Sequence, residues 1–200
     1  MPAWTVPSGR YSFVVPRVTD TRDRIVRAAE DVVIRDGVGR LTLEAAAAEA
    51  NLSKGGVLYH FPSRAALVTA MVEQFVVSFD ADLERFGAYS GEPGAFIRAY
   101  VEATVQPAAP GDVRDRRLGS ALLAGVASDP ELLAPLRERF ACWQAAVEND
   151  GVDPALATVV RYATDGLWLS DLFELAPVSG DRRQAVAEEL RALTRATSRQ

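Results

Sequence analysis

This 200-residue chain contains one cysteine, one histidine and one lysine. The lone cysteine, Cys142, excludes an intramolecular disulfide and points to a reducing compartment. Its neighbours Phe140 and Trp143 predict a buried, inert thiol. One histidine and one cysteine cannot assemble a His-rich metal site or most nucleophilic triads. Neither a glycine-rich phosphate loop nor a His-Glu-x-x-His pattern occurs, and the paired acids Asp80/Asp82 and Glu188/Glu189 read as solvated faces. The expectation is a chain with no metal, no cofactor and no enzymatic activity. No apolar run approaches the ~18 residues of a membrane span. Pro7, Gly9, Arg10 and Pro16 interrupt any signal-peptide core, so a cytoplasmic protein without a membrane partner is expected.

What is present is globular in balance, with 48% apolar and 24% charged residues and no compositional sign of disorder. The net charge of −5 would argue against a polyanion partner if spread evenly. Through Leu67, however, eight arginines and one lysine stand against seven acids, while the remainder holds thirteen arginines against twenty acids. A mildly basic end on an acidic body fits a polyanion-binding module joined to something else.

Residues 1–20 read as a flexible arm in which Trp4, Tyr11, Phe13 and Arg17 could make contacts. Disorder, or a start codon placed too far upstream, accounts for the same composition. From Thr21 onward the periodicity is helical throughout. A first helix spans about Arg22 to Arg35, with Ile25, Ala28, Ala29, Val32 and Val33 on one face and Gly37 as its stop. A second begins at Thr42, a good N-cap, and covers Leu43 to about Glu49. Asn51 marks a turn that needs a left-handed residue. Ser53 caps a third helix, and a long fourth runs from about Ser63 to Phe86. Further helices are predicted at about 93–107, 113–128, 130–149, 154–175 and 181–197. Asp129-Pro130 and Asp153-Pro154 serve as start signals, and Pro135 should kink or split its helix. The fold class is all-α, with about nine helices.

The only lysine and the only histidine, Lys54 and His60, fall in one short segment, Leu52 to Arg64. Helices two and three with their short turn form a helix-turn-helix at about 42–61, whose second helix would lie in a DNA major groove. Thr42 can hold a phosphate at its helix start. Ser53 and Lys54 can reach bases or phosphates, and Tyr59 and His60 can donate to phosphates at the far end. Gly55 and Gly56 each cost about 1 kcal/mol relative to Ala in a helix, which suits an element whose backbone must be approached closely. Arg64 is a poor partner for the dipole of the long helix, and an outside phosphate would hold it. Leu52, Val57, Leu58, Phe61 and Leu67 form the expected inward set. An ordinary pair of packed helices, with glycines serving close packing, uses the same pattern.

The string Ile25…Ala28-Ala29…Gly37…Leu41-Thr42…Ala46-Ala47-Ala48-Glu49-Ala50-Asn51-Leu52-Ser53-Lys54-Gly55-Gly56-Val57-Leu58-Tyr59-His60-Phe61-Pro62-Ser63-Arg64…Leu67 resembles the tetracycline-repressor-like (TetR-type) family of bacterial transcriptional regulators. The resemblance covers about residues 21–67 and implies DNA contacts by Thr42, Ser53, Lys54, Gly55, Tyr59 and His60. It also implies a larger helical domain, here 68–200, that dimerises and encloses a small-molecule pocket. Three departures stand out: Ala46 replaces a larger aliphatic, Asn51 the usual turn glycine and Arg64 the usual lysine.

In the body, Leu156 to Leu175 is apolar nearly all round, and burial by a second copy would satisfy it. The last helix carries a narrower stripe, Val186, Leu190 and Leu193. Both helices are expected to pair across a two-fold axis, as the resemblance also implies. Phe96, Tyr100, Trp143, Tyr162 and Trp168 are candidate lining for a pocket with an apolar effector. Asp165 is the polar group to watch, although an i,i+4 pair with Arg161 explains it equally well. Together these readings describe a ligand-responsive homodimeric regulator, most simply a repressor on a pseudo-palindromic duplex operator. The other class is a helical protein-interaction module without DNA binding.

Overall fold

The computed structural model describes residues 21–105, 112–126 and 131–195. The predicted arm at 1–20 lies outside the described residues. Nine α-helices and one 3-10 turn occur among the described residues, with no strand. Helix α1 (Thr21–Asp36) buries Ile25, Val26, Ala28, Ala29, Val32 and Val33 and stops at Gly37, whose φ of 83° only glycine adopts freely. A 3-10 turn at Val38–Arg40, absent from the sequence reading, leads into α2 (Leu43–Glu49), α3 (Lys54–His60) and α4 (Arg64–Arg85). The body follows as α5 (Ala95–Val105), α6 (Asp112–Val126), α7 (Ala134–Glu148), α8 (Pro154–Leu172) and α9 (Gly180–Leu193).

Two apolar cores form, and α4 runs through both. Its first half places Leu67, Val68, Met71 and Val72 in a core with α1, α2, α3 and Leu118 and Leu122 of α6. Its second half sends Val76 and Leu83 into a core built from α5, α7, α8 and α9. One 22-residue helix therefore connects head and body. Helix α6 adds a second connection. Arg114 donates to Glu30 at 2.9 Å and to Asp31 at 2.8 Å on α1. Burial raises the Glu30 carboxyl above the usual carboxylate range, against the pull of Arg114. At the other end of α6, a side chain at Gly125 would overlap Val38, so the helix backbone rests directly on that valine.

Several expectations are corrected. Helix α7 begins at Ala134 with Pro135 in its first turn. Pro135 therefore starts a helix where a kink was expected, because the missing N–H costs nothing there. Pro130 lies outside the described residues. Asp153 does cap α8, accepting from the Leu156 amide at 2.8 Å, with Pro154 following. Cys142 is exposed. Trp143 and Val147 define the buried face of α7, and the preceding residue is turned about 100° away from Trp143. On α9, Ala187 and Leu190 are buried and Val186 and Leu193 are packed against the second core. That stripe is covered within the chain, leaving Ala185, Glu188, Glu189 and Ala192 exposed. No helix among the described residues is long and apolar enough to cross a membrane.

Arg114→Met strands a buried acid on α1 and is expected to lower stability by about 1–3 kcal/mol. The double variant Glu30→Met/Arg114→Met should recover most of that loss in urea unfolding, since neither charge then lacks a partner.

Candidate nucleic-acid interface

Helix α2 starts where Thr42, in an extended conformation, accepts from the Ala45 amide at 3.0 Å. It ends in a Schellman arrangement: the Leu52 amide donates to the Ala47 carbonyl at 2.8 Å and the Asn51 amide to the Ala48 carbonyl at 3.2 Å. Asn51 carries the left-handed φ of 54° that this closure needs. Ser53 then caps α3, accepting from the Gly56 amide at 3.1 Å. Both cap hydroxyls accept at their helix starts; that of Thr42 also donates to the Glu44 carboxylate, whereas that of Ser53 keeps its hydrogen for donation outward.

Helix α3 is held from one side. Val57 and Phe61, one turn apart, are buried, and Arg22 covers the Phe61 ring at 5.2 Å. The opposite side is open. Tyr59 is 86% exposed, and Leu58, expected inside, is exposed as well because Val57 and Phe61 already define the inward face. A Cβ at Gly55 would meet only the Ser53 hydroxyl at 3.9 Å; at Gly56 it would meet Ser53 and Leu52, both in the adjoining turn. No other helix packs on either glycine, so close helix packing does not explain them. His60, half-buried, stands edge-on to Tyr59 with ring centres 5.1 Å apart.

Arg64 behaves otherwise than expected. Its guanidinium donates through Nε to the Leu41 carbonyl at 2.9 Å and through Nη2 to the Val38 carbonyl at 2.7 Å. Two carbonyls of the chain hold it, in place of the phosphate that was expected to offset the helix dipole. The sequence reading missed Glu44. Its carboxylate accepts from Lys54 at 2.5 Å. That donation, together with its own backbone amide, holds the Glu44 carboxyl below the usual carboxylate range. Ten residues separate the pair, so nothing in the local pattern announces it.

The candidate pocket residues do not converge on one space. Phe96, Tyr100 and Trp143 are buried in an aromatic cluster with Phe79, whose ring centre lies 5.2 Å from Tyr100 and 4.9 Å from Trp143. Tyr162 is 62% exposed and points away from the interior. Asp165 accepts from the Tyr100 hydroxyl at 2.7 Å and pairs with Arg161 at 3.2 Å, so protein groups already engage it. Burial raises both the Asp165 carboxyl and the Tyr100 hydroxyl. Trp168 is half-buried, 6.0 Å from Phe75. An apolar cleft of about 10 Å³, room for one water at most, lies elsewhere. It is lined by Val72, Phe75, Gly119, Leu122, Leu123 and Leu136. Three helices distant in sequence build it, which no linear pattern could reveal.

A capped helix pair presenting the open side of its second helix, on a purely helical body, defines a helix-turn-helix regulator. The family models agree: "Bacterial regulatory proteins, tetR family" matches residues 25–71, and "Tetracyclin repressor-like, C-terminal domain" matches 94–195. The chain belongs to the TetR family of transcriptional regulators. No curated protein matches it significantly. Among solved structures, a putative TetR-family regulator from Rhodococcus sp. is 19% identical with a TM-score of 0.69, covering 87% of this chain and 96% of its own. At that identity it shares the fold alone. A TetR-family member from Streptomyces coelicolor A3 is 26% identical, with a TM-score of 0.65 over 87% of this chain and 98% of that one. The multidrug binding protein EbrR, complexed with malachite green, is 25% identical, with a TM-score of 0.63 over 86% and 96%.

Asn51→Ala forces a side chain without local hydrogen bonding into the left-handed region and should destabilise the protein by about 1–2 kcal/mol. Asn51→Gly should cost less, and thermal unfolding of the two variants ranks them.

Proposed function

We propose that the protein is a homodimeric repressor that binds a pseudo-palindromic duplex operator and is released by a small apolar effector. The observation that carries this reading is the open side of α3, where Gly55 has no covering group and Tyr59 stands in solvent. Thr42, Ser53, Lys54, Gly55, Gly56, Tyr59 and His60 supply donors and close backbone approach along that side. Arg64 is reassigned to holding the head together.

Dimerisation is supported by α8. Val159, Tyr162, Leu169 and Phe173 are all exposed, and with Gly166 they recur at alternating steps of three and four residues. That spacing is the seam of two packed helices, and Gly166 has open space for a close partner. Since the α9 stripe is occupied within the chain, the seam falls mainly to α8, with α9 offering its exposed Ala185, Glu189 and Ala192 side. Two copies joined there would set two recognition helices about 34 Å apart, one turn of duplex.

Effector control rests on the cleft between α4, α6 and α7. Its six lining residues are apolar or glycine, and α6, which touches the head at both ends, forms one wall. The multidrug binding protein EbrR, 25% identical, is complexed with malachite green and with ethidium, which supports a small-molecule effector for a body of this fold. An effector would widen the cleft and act only as far as it binds the open and closed states unequally.

Gly55→Ala separates this reading from plain helix packing. It should stabilise the free protein by up to ~1 kcal/mol yet weaken binding to duplexes selected from a random pool by roughly tenfold or more. Unchanged DNA affinity would remove α3 from the interface. Leu169→Glu should yield monomers in sedimentation and lose operator binding with the head still folded; a dimer that persists would refute the α8 seam.

A further inference from the structure

Lys54 is the chain's sole lysine, and its Nζ is held by Glu44 on the open side of the head. Both side chains are more than half exposed, so the pair contributes little to stability. An acid at this place is unfavourable for a surface that meets phosphates, because it cancels the nearest cation and repels the backbone. The pair therefore calls for an explanation in recognition. Its two polar atoms stand a hydrogen bond apart, a donor beside an acceptor.

The major-groove edge of a G·C pair presents the complementary pattern. Guanine O6 accepts, cytosine N4–H2 donates, and the two are joined by a Watson–Crick hydrogen bond and so lie a similar distance apart. Lysine to guanine O6/N7 and glutamate from cytosine N4 are each favoured contacts. Resting on the DNA-binding reading above, we propose that Glu44 and Lys54 together read one G·C pair in each half-site, Glu44 being the residue that fixes its orientation. With the pair inverted, the carboxylate would face guanine O6, an acceptor against an acceptor. With T·A, Lys54 would lose N7 and meet the thymine methyl. On non-cognate duplex, Lys54 would have only phosphates to reach and Glu44 would oppose each of them, so the same residue suppresses backbone-only binding.

The test uses the full-length protein and duplexes it selects from a random pool. Wild type is expected to lose about tenfold to a hundredfold in affinity when one particular G·C pair of each half-site is inverted. Glu44→Ala should lose less than about threefold on that inversion. It should also bind bulk duplex about tenfold more tightly at equal salt, with a salt slope steeper by about one. Equal inversion penalties for wild type and Glu44→Ala at every position would overturn the proposal, as would unchanged or weaker binding of bulk duplex by the variant. Glu44 is exposed, and matching thermal unfolding of the variant confirms that only the surface has changed. If wild type selects no duplex at all, the DNA-binding reading itself fails, an outcome distinct from any behaviour of the variant.

Discussion

Leu118 and Leu122 of α6 are buried in the same apolar core as side chains of α1, α2, α3 and the first half of α4, and the rest of the structure depends on that shared burial. A head of about fifty residues buries too little surface to be secure alone. The body completes its core, and Val38 is the point where the dependence concentrates. Its side chain is 3% exposed beneath Gly125 of α6, while its carbonyl accepts from Arg64 at the start of α4. Two body-connected helices thus meet on one residue of the link before α2. A displacement of α6 has a direct mechanical path to the recognition helix.

The open side of α3 obeys the opposite logic. A short helix with two adjacent glycines is a poor helix by propensity, and it persists because Ser53 caps it and Val57 and Phe61 anchor it from behind. Stability comes from one side so that the other can remain free of packing. The electrostatics are mixed: the head carries a small basic excess on an acidic chain, and the one lysine is matched to an acid.

The sequence was readable wherever the decisive interaction spans about one helical turn. Thr42, Ser53 and Asp153 cap the helices they were expected to cap, Gly37 stops α1, and Asn51 takes the left-handed turn, because each makes its bonds within a few residues of itself. The inward residues of α1 followed from their period for the same reason. Leu58 went astray because it lies at the margin of the buried face of α3, where a rotation of one residue position decides between core and solvent. Tyr162 and Cys142, by contrast, lie on the sides of α8 and α7 turned away from their buried residues.

The chain by itself determined an all-helical protein with a helix-turn-helix head and the caps at Thr42, Ser53 and Asp153. Only the tertiary structure decided that Arg64 serves Val38 and Leu41, that Glu44 finds Lys54, that the α9 stripe turns inward, and that the cleft lies between α4, α6 and α7. The physical reason is the reach of the interactions. Caps, turns and helical period are fixed by neighbours along the chain, whereas a guanidinium or a carboxylate takes whichever partner packing sets within about 3 Å.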